Sequence, residues 1–270
     1  MSMMLEELQS ELRAIAPREL EEEWDNGGMQ INMGKDTVNK VLVCLEITKE
    51  VVEEAKGLKA DFILTHHPLL FKPIDVVDGT TTYGEYIIQL IKNDISVYSA
   101  HTSFDAAFGG NNDYLADRLG LNQVRRLKLQ QPLGEVEVFG RIGVLQESIS
   151  LQELGQRVEQ TLKMKAPPRM VGNPEHSVRI VGLCSGGGAG SIFAAIRNGC
   201  DVFITGDIDH HQAQAAREMG ICLIDAGHYA TERIFAENFA KRLRKAVAGK
   251  VEVLESQINT DPFDPETWNQ

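Results

Sequence analysis

A chain of 270 residues, 43% hydrophobic and 24% charged, has an ordinary globular composition and material for one large or two modest domains. Its formal net charge of −12 repels phosphate backbones at long range, which argues against nucleic-acid binding but leaves room for a small anion held locally by a metal. No apolar run approaches the ~20 residues of a membrane span. Met1 to Glu11 is too acidic and interrupted for a signal peptide, and Cys44, Cys184, Cys200 and Cys222 lack CxxC spacing, so buried free thiols in a reducing cytoplasm are expected.

Leu5, Leu8, Leu12 and Ile15 recur at helical spacing, and Pro17 stops that helix. Trp24 to Met29 is turn-rich. Val41 to Leu45 reads as a buried strand, Thr48 as an N-cap, and Val51, Ala55 and Leu58 as the stripe of the next helix. Asp61 to Leu64 is a second buried strand, which Pro68 forces to stop by His67. A helix with Ile87 and Leu90 follows, then a strand from Ile95 to Ser99 that runs into Ala100-His101-Thr102-Ser103-Phe104-Asp105. Gly109 to Asn112 makes a turn and caps a helix through Leu119. The alternation of short strands and helices suggests an α/β domain with a largely parallel sheet.

Gly134 to Val144 alternates like one or two strands, Leu151 to Leu162 is an amphipathic helix, and Lys165 to His176 reads as a surface loop. Val178 to Cys184 is a buried strand that leads through the glycine run 185–190 into a helix. Asp201 to Thr205, Gln212 to Met219 and Ile221 to Ile224 continue as strand, helix and strand. The last of these delivers Asp225-Ala226-Gly227-His228-Tyr229-Ala230-Thr231-Glu232. A helix with Ile234, Phe235, Phe239 and Leu243 follows, and the polar tail from Thr260 reads as an extended or frayed arm.

Two stretches repeat. Ala60-Asp61-Phe62-Ile63-Leu64-Thr65 matches Cys200-Asp201-Val202-Phe203-Ile204-Thr205, and in each half a later strand ends with a histidine four residues before a carboxylate. Related β-α-β-α-β units would carry these strand ends to a cleft, where α/β sheets bind ligands. The ends supply His66, His67, His101, Asp105, His228 and Glu232, a set that suits catalytic divalent transition metals. So many donors exceed one catalytic zinc and suit two metals bridged by a carboxylate. Extended neighbours point to opposite sides, so His66 and His67 would serve one metal each. Thr231 reads as an N-cap that places Glu232 in a first helical turn, and Asp207 as a partner orienting a ligand imidazole.

Some residues keep two readings. His66-His67 could be one structural and one exposed histidine. His101 could ligate, or could orient Asp105 or a water. His210 and His211 suit an exposed helix start better than ligation, and His176 a loop. The glycine run lacks the Lys-Ser/Thr ending of a P-loop, so a tight turn suits it better than a phosphate cradle. Trp24-Asp25-Asn26-Gly27 reads as a structural turn whose Asp25 and Asn26 could line the cleft.

Trp24-Asp25-Asn26, Thr65-His66-His67-Pro68-Leu69, His101 to Asp105, Gly110-Asn111-Asn112, Thr205-Gly206-Asp207 and Asp225 to Glu232 together resemble the YbgI-like, Nif-three-like family of dinuclear-metal proteins, often labelled GTP cyclohydrolase 1 type 2 homologues. The resemblance implies two α/β domains of related topology with mixed, largely parallel sheets. The first would comprise residues 1–125 plus 228–270, and the second, residues 126–227, would be inserted in it. Residues 125–178 are too short for the large extra domain of some members, and Glu46 stands where members often have aspartate. The resemblance also implies a cytoplasmic toroidal homohexamer, a trimer of dimers, with metal sites facing the interior. His66, His228 and Glu232 would hold one ion, and His67, Asp105 and the shared Glu232 the other. The ions would be two divalent transition metals: Zn, Fe, Mn, Co or Ni. His101 would stand beside them as a catalytic proton shuttle. The activity expected is a metal-dependent hydrolase in which a metal-bound water attacks C8 of GTP, or acts on another nucleotide-like or phosphate-bearing substrate. The alternative is a non-catalytic metal-binding regulatory or scaffold ring. DNA binding fits the charge poorly.

Overall fold

The computed structural model describes residues 2–131 and 134–269, the side chains of residues 130–137 and 269 aside. It divides into two compact units, Met1–Gly110 with Phe235–Gln270, and Asn111–Ile234.

The first unit opens with strand β1 (Met3–Met4) and helix α1 (Leu5–Ile15), whose Leu5, Leu8, Leu12 and Ile15 are all buried. Strands β2 (Gly28–Ile31), β3 (Thr37–Val38) and β4 (Lys40–Cys44) follow, then α2 (Lys49–Leu58), β5 (Phe62–Thr65), α3 (Thr82–Lys92), β6 (Ser96–Ser99) and α4 (Thr102–Ala106). Thr48 caps α2 by accepting from the Val51 amide. β4, β5 and β6 lie side by side and parallel, with the C-terminal strand Glu252–Glu255 parallel to β4 at one edge and β2 antiparallel to β6 at the other. Leu42, Cys44, Ile63 and Val97 on one sheet face pack with Val51 and Ala55 of α2 and Ile87 and Leu90 of α3.

The second unit runs α5 (Asn111–Arg118), β7 (Asn122–Gln131), β8 (Gly134–Ser150), α6 (Leu151–Leu162), β9 (Arg169–Val171), β10 (Ser177–Leu183), α7 (Ile192–Arg197), β11 (Val202–Thr205), α8 (His210–Met219), β12 (Cys222–Asp225) and α9 (His228–Glu232). Its sheet has the order β7-β8-β10-β11-β12-β9, parallel through β10-β11-β12 and antiparallel elsewhere. Period-two alternation divides the strands between two layers. Val181, Leu183, Val202, Ile204 and Ile224 pack with Leu115 of α5 and Leu154 and Val158 of α6. Phe203 and Leu223 face Ile192, Ala195 and Ala216 of α7 and α8 instead.

Both units therefore hold three parallel strands joined by two helices, with the third strand flanked by an antiparallel strand drawn from earlier in the chain. The repeat extends to side-chain bonds. Asp61, just before β5, accepts the backbone amides of Asn39 and Lys40, and Asp201, just before β11, accepts those of Arg179 and Ile180. Each aspartate thus satisfies two successive amides of the preceding parallel strand or its lead-in, at the entry to β4 and at the bulge of β10. Thr65 donates to the carbonyl of Leu45 at 3.0 Å, and Thr205 donates to that of Gly186 at 3.1 Å. One architecture is built twice.

Three local expectations change. The segment expected as a surface loop contains β9, because Arg169–Val171 pairs with the exposed edge of β12. β2 occupies part of the turn-rich segment and is bulged between Met29 and Ile31. The tail is knotted rather than extended or frayed: Asn259 Nδ2 donates to Asp264 Oδ2 at 2.6 Å and Thr267 Oγ1 to the Asp264 carbonyl at 2.8 Å. Among the described residues, no helix is long and apolar enough to cross a membrane.

Candidate metal centre

In the first unit, β5 ends at Thr65 and the chain bends at once. The amides of His66 and His67 both donate to the Leu45 carbonyl, at 3.0 and 2.9 Å. The two histidines are consequently not on an extended strand, and strand alternation does not separate them. Their rings lie 5.2 Å apart, tilted by 37°. The expectation that they point to opposite sides is corrected by that bend.

His66 is fully buried. Its Nδ1 lies 2.9 Å from the carbonyl oxygen of Ala100. A carbonyl only accepts, so a hydrogen sits on Nδ1 and Nε2 is the nitrogen left to face another partner. Nε2 faces Asp105 Oδ2 at 3.6 Å, and Phe235 covers the ring at a centroid distance of 4.7 Å. Ser99 Oγ donates to the His66 carbonyl at 2.7 Å, tying β6 to the bend. Glu46 Oε2 stands 3.6 Å from His67 Nδ1.

His101 sits where the chain leaves β6 for α4. Its Nδ1 donates to Asp25 Oδ1 at 2.9 Å, and the amide and hydroxyl of Thr102 donate to Asp25 Oδ2. Burial alone would raise the Asp25 carboxyl, but the hydrogen bonds from His101 and Thr102 outweigh it and hold the group down at about 2. Donor nitrogens of His66, His67 and His101 lie within 4.8 Å of one another. Asp25 is the residue that sequence reasoning undervalued. Its motif was visible, but a bond across 76 positions was not.

In the second unit, His228 begins α9 and Glu232 ends it. His228 Nδ1 donates to Asp207 Oδ2 at 2.7 Å, and Nε2 stands 2.8 Å from Glu232 Oε2. The i, i+4 spacing puts the two on one helix face. A nitrogen lone pair and a carboxylate oxygen at that distance share a proton or a cation. Asp207 accordingly orients the imidazole, in the way that metal-site histidines are commonly fixed. It holds a left-handed φ of 56°.

Thr231 is not an N-cap; it lies inside α9. The Gly186 amide donates to its Oγ1 at 2.8 Å, and its hydroxyl bonds back to the Gly227 and His228 carbonyls. Glu232 closes this short helix rather than opening a long one. The glycine run serves packing. Gly186 has φ +66°, and a Cβ there would stand 2.0 Å from Glu232 Oε1. Its amide is given to Thr231, and the Gly188 amide to Thr205 Oγ1 at 2.9 Å. Two amides that a phosphate cradle would need are thus committed within the unit.

His210 and His211 are exposed in the first turn of α8, where Asp209 and Gln212 form the capping box. Among the described residues they belong to no group of three potential ligands. His176 is exposed in a loop. All four cysteines are buried and outside any disulfide, and burial pushes the thiols of Cys44 and Cys200 up to about 12.

The model of the family Duf34/NIF3 (NGG1p interacting factor 3) matches residues 3–262. A Clostridium perfringens protein named GTP cyclohydrolase 1 type 2 homolog is 32% identical over 262 residues, 97% of this chain and 99% of its own. A Streptomyces coelicolor protein of the same name is 38% identical over 244 residues, 88% and 85% of the two chains. The crystal structure of a Bacillus cereus protein related to NIF3 superposes with a TM-score of 0.88 at 28% identity, covering 96% of this chain and 98% of that one. These matches agree with the resemblance carried by the motifs and with the mixed α/β architecture.

Proposed function

We propose, for a chain that belongs to the Duf34/NIF3 (NGG1p interacting factor 3) family, the function of a dinuclear metal-dependent hydrolase of the GTP cyclohydrolase 1 type 2 kind. The observation that carries the reading is the anchoring of His66, His101 and His228. Each is fixed through Nδ1 by a carbonyl or carboxylate and so presents Nε2. That is the preparation a ligand imidazole needs. Imidazole nitrogens together with the carboxylates of Asp105 and Glu232 form a donor set that suits Zn, Fe, Mn, Co or Ni rather than Mg or Ca.

His66, Glu232 and His228 would hold one ion, and His67, Asp105 and the shared Glu232 the other. Once bound, the pair would supply Lewis acidity and a water acidified toward neutrality. His101 stands outside the ligand set. Asp25 holds its Nδ1 at 2.9 Å and leaves Nε2 available, so His101 would be the group to accept a proton from water and deliver it to a leaving nitrogen. Asp207 bonds His228 at 2.7 Å, whereas Glu46 only faces His67 at 3.6 Å, beyond hydrogen-bond length. The ring-shaped homohexamer and the cytoplasmic location belong to the same reading.

The test incubates metal-loaded protein with GTP and follows formate and a dihydropterin triphosphate. Formation of both, abolished by Glu232→Ala and strongly slowed by His101→Ala, is the expected result. Absence of both with Zn, Fe, Mn, Co and Ni would overturn the GTP form of the reading. Partner binding or a cellular phenotype that survives Glu232→Ala would favour the scaffold alternative.

A further inference from the structure

His101 also belongs to a second cluster. Trp24 and Phe71 flank it, with ring centroids 6.1 and 6.2 Å from the imidazole and 6.1 Å from each other. All three contacts are edge-on, at 64° to 86°. Such packing fixes ring edges and leaves outer faces uncovered. Trp24 is 57% exposed and Phe71 44% exposed. Large rings are ordinarily driven inward, so two exposed rings beside the histidine group ask for an explanation.

Their stems are held in place. Trp24 precedes Asp25, which is bonded to His101 and Thr102. Phe71 follows Leu70, whose carbonyl accepts from Asn26 Nδ2 and whose amide donates to Gln30 Oε1 at 2.9 Å. Gln30 Nε2 donates in turn to the Asn26 carbonyl at 2.7 Å. Residues 24–30 and 68–71 are thus laced together by side-chain bonds, and two exposed aromatic faces are carried on a fixed support. The fold holds these rings where its own core gains little from them.

Resting on the metal-centre reading of the same site, we propose that Trp24 and Phe71 form a stacking platform selecting substrates that carry a planar heteroaromatic ring. A ring stacked there lies beside His101, whose imidazole also neighbours His66 and His67 at 5.1 and 5.7 Å. Phosphate-bearing compounds without such a ring forgo this contact. Every base has a π-face, so the platform selects a ring class rather than one base.

The experiment uses the full chain in a Trp268→Phe background, which leaves Trp24 as the single tryptophan. Guanosine is titrated against its fluorescence, and guanosine, ribose and inorganic triphosphate are compared by calorimetry in parent, Trp24→Ala and Phe71→Ala proteins. Thermal melting confirms folding, which two exposed rings should hardly affect. The expected result is quenching by guanosine, no binding of ribose, and guanosine affinity lowered roughly tenfold or more in each variant. Triphosphate affinity should be unchanged. Absence of guanosine binding, or equal affinity in parent and variants, overturns the platform. So does a change in oligomer mass in the variants with guanosine affinity intact, which would assign the rings to contact between copies. Metal content of Glu232→Ala separates the two readings. Metal lost on that substitution, with guanosine indifferent to Trp24→Ala, leaves the centre and removes the platform. Metal retained, with guanosine sensitive, does the reverse.

Discussion

Gly186→Ala is the substitution whose consequence can be worked out most fully. The alanine Cβ would stand 2.0 Å from Glu232 Oε1 and 2.8 Å from its Cδ, with His228 Nε2 at 3.3 Å. Ordinary contact begins near 3.4 Å, so the carboxylate oxygen must retreat by about 1.4 Å (3.4 − 2.0). Glu232 is only 3% exposed, and its other oxygen stands 2.8 Å from His228. Its retreat therefore breaks the His228–Glu232 pair. The φ of +66° adds about 1 kcal/mol for any residue with a Cβ. Two other glycines separate these effects. Gly199 has φ +74° with nothing within 4 Å, so Gly199→Ala measures the backbone contribution alone. Gly190 has neither a left-handed φ nor a neighbour within 4 Å, so Gly190→Ala should be silent. The expected order of urea midpoints is Gly190→Ala equal to parent, Gly199→Ala lower by about 1 kcal/mol, and Gly186→Ala lower by about 2–3 kcal/mol. Bound metal measured by mass spectrometry should fall at least tenfold in affinity for Gly186→Ala alone. Equal metal affinity in all three variants would refute the view that this glycine makes room for the Glu232 carboxylate.

Thr231→Val removes the acceptor for the buried Gly186 amide and should lower stability by about 1–3 kcal/mol, while Thr231→Ser should recover most of it; denaturant titration compares them. Asp25 binds its proton more weakly when folded, at about 2 against 3.8, so its carboxylate stabilises the fold above pH 4 and loses that effect as the pH falls from about 4 to 2. The stability gap between parent and Asp25→Asn should accordingly narrow over that window, and a gap independent of pH would contradict the pairing with His101. With thiols raised to about 12, Cys44 and Cys200 should resist Ellman's reagent at pH 8 until urea unfolds the chain; rapid labelling of the native protein would count against their burial.

Much of the fold was legible because local physics sets it. Apolar spacing gave α1, α2, α6 and the helix Ile234–Val247, and buried runs gave β4, β5, β10, β11 and β12. The repeat was visible in Asp61 and Asp201, although their bonds to the preceding strand were not. What escaped depended on partners far along the chain. β9 exists because β12 offers an edge, and the role of Asp25 is set by His101. The two adjacent histidines were read by a rule for extended strands, which fails once Thr65 ends β5 and the Leu45 carbonyl gathers both amides. Thr231 looked like a cap from composition alone, yet its hydroxyl serves Gly186, 45 positions earlier.

The central claim concerns a pair of metal ions, and counting them tests it most directly. Protein purified, stripped and reloaded with zinc or manganese should retain two ions per chain after desalting, with Glu232→Ala losing both and Asp105→Ala losing one. Retention of no ion by the parent, or of the same number by parent and Glu232→Ala, would contradict it.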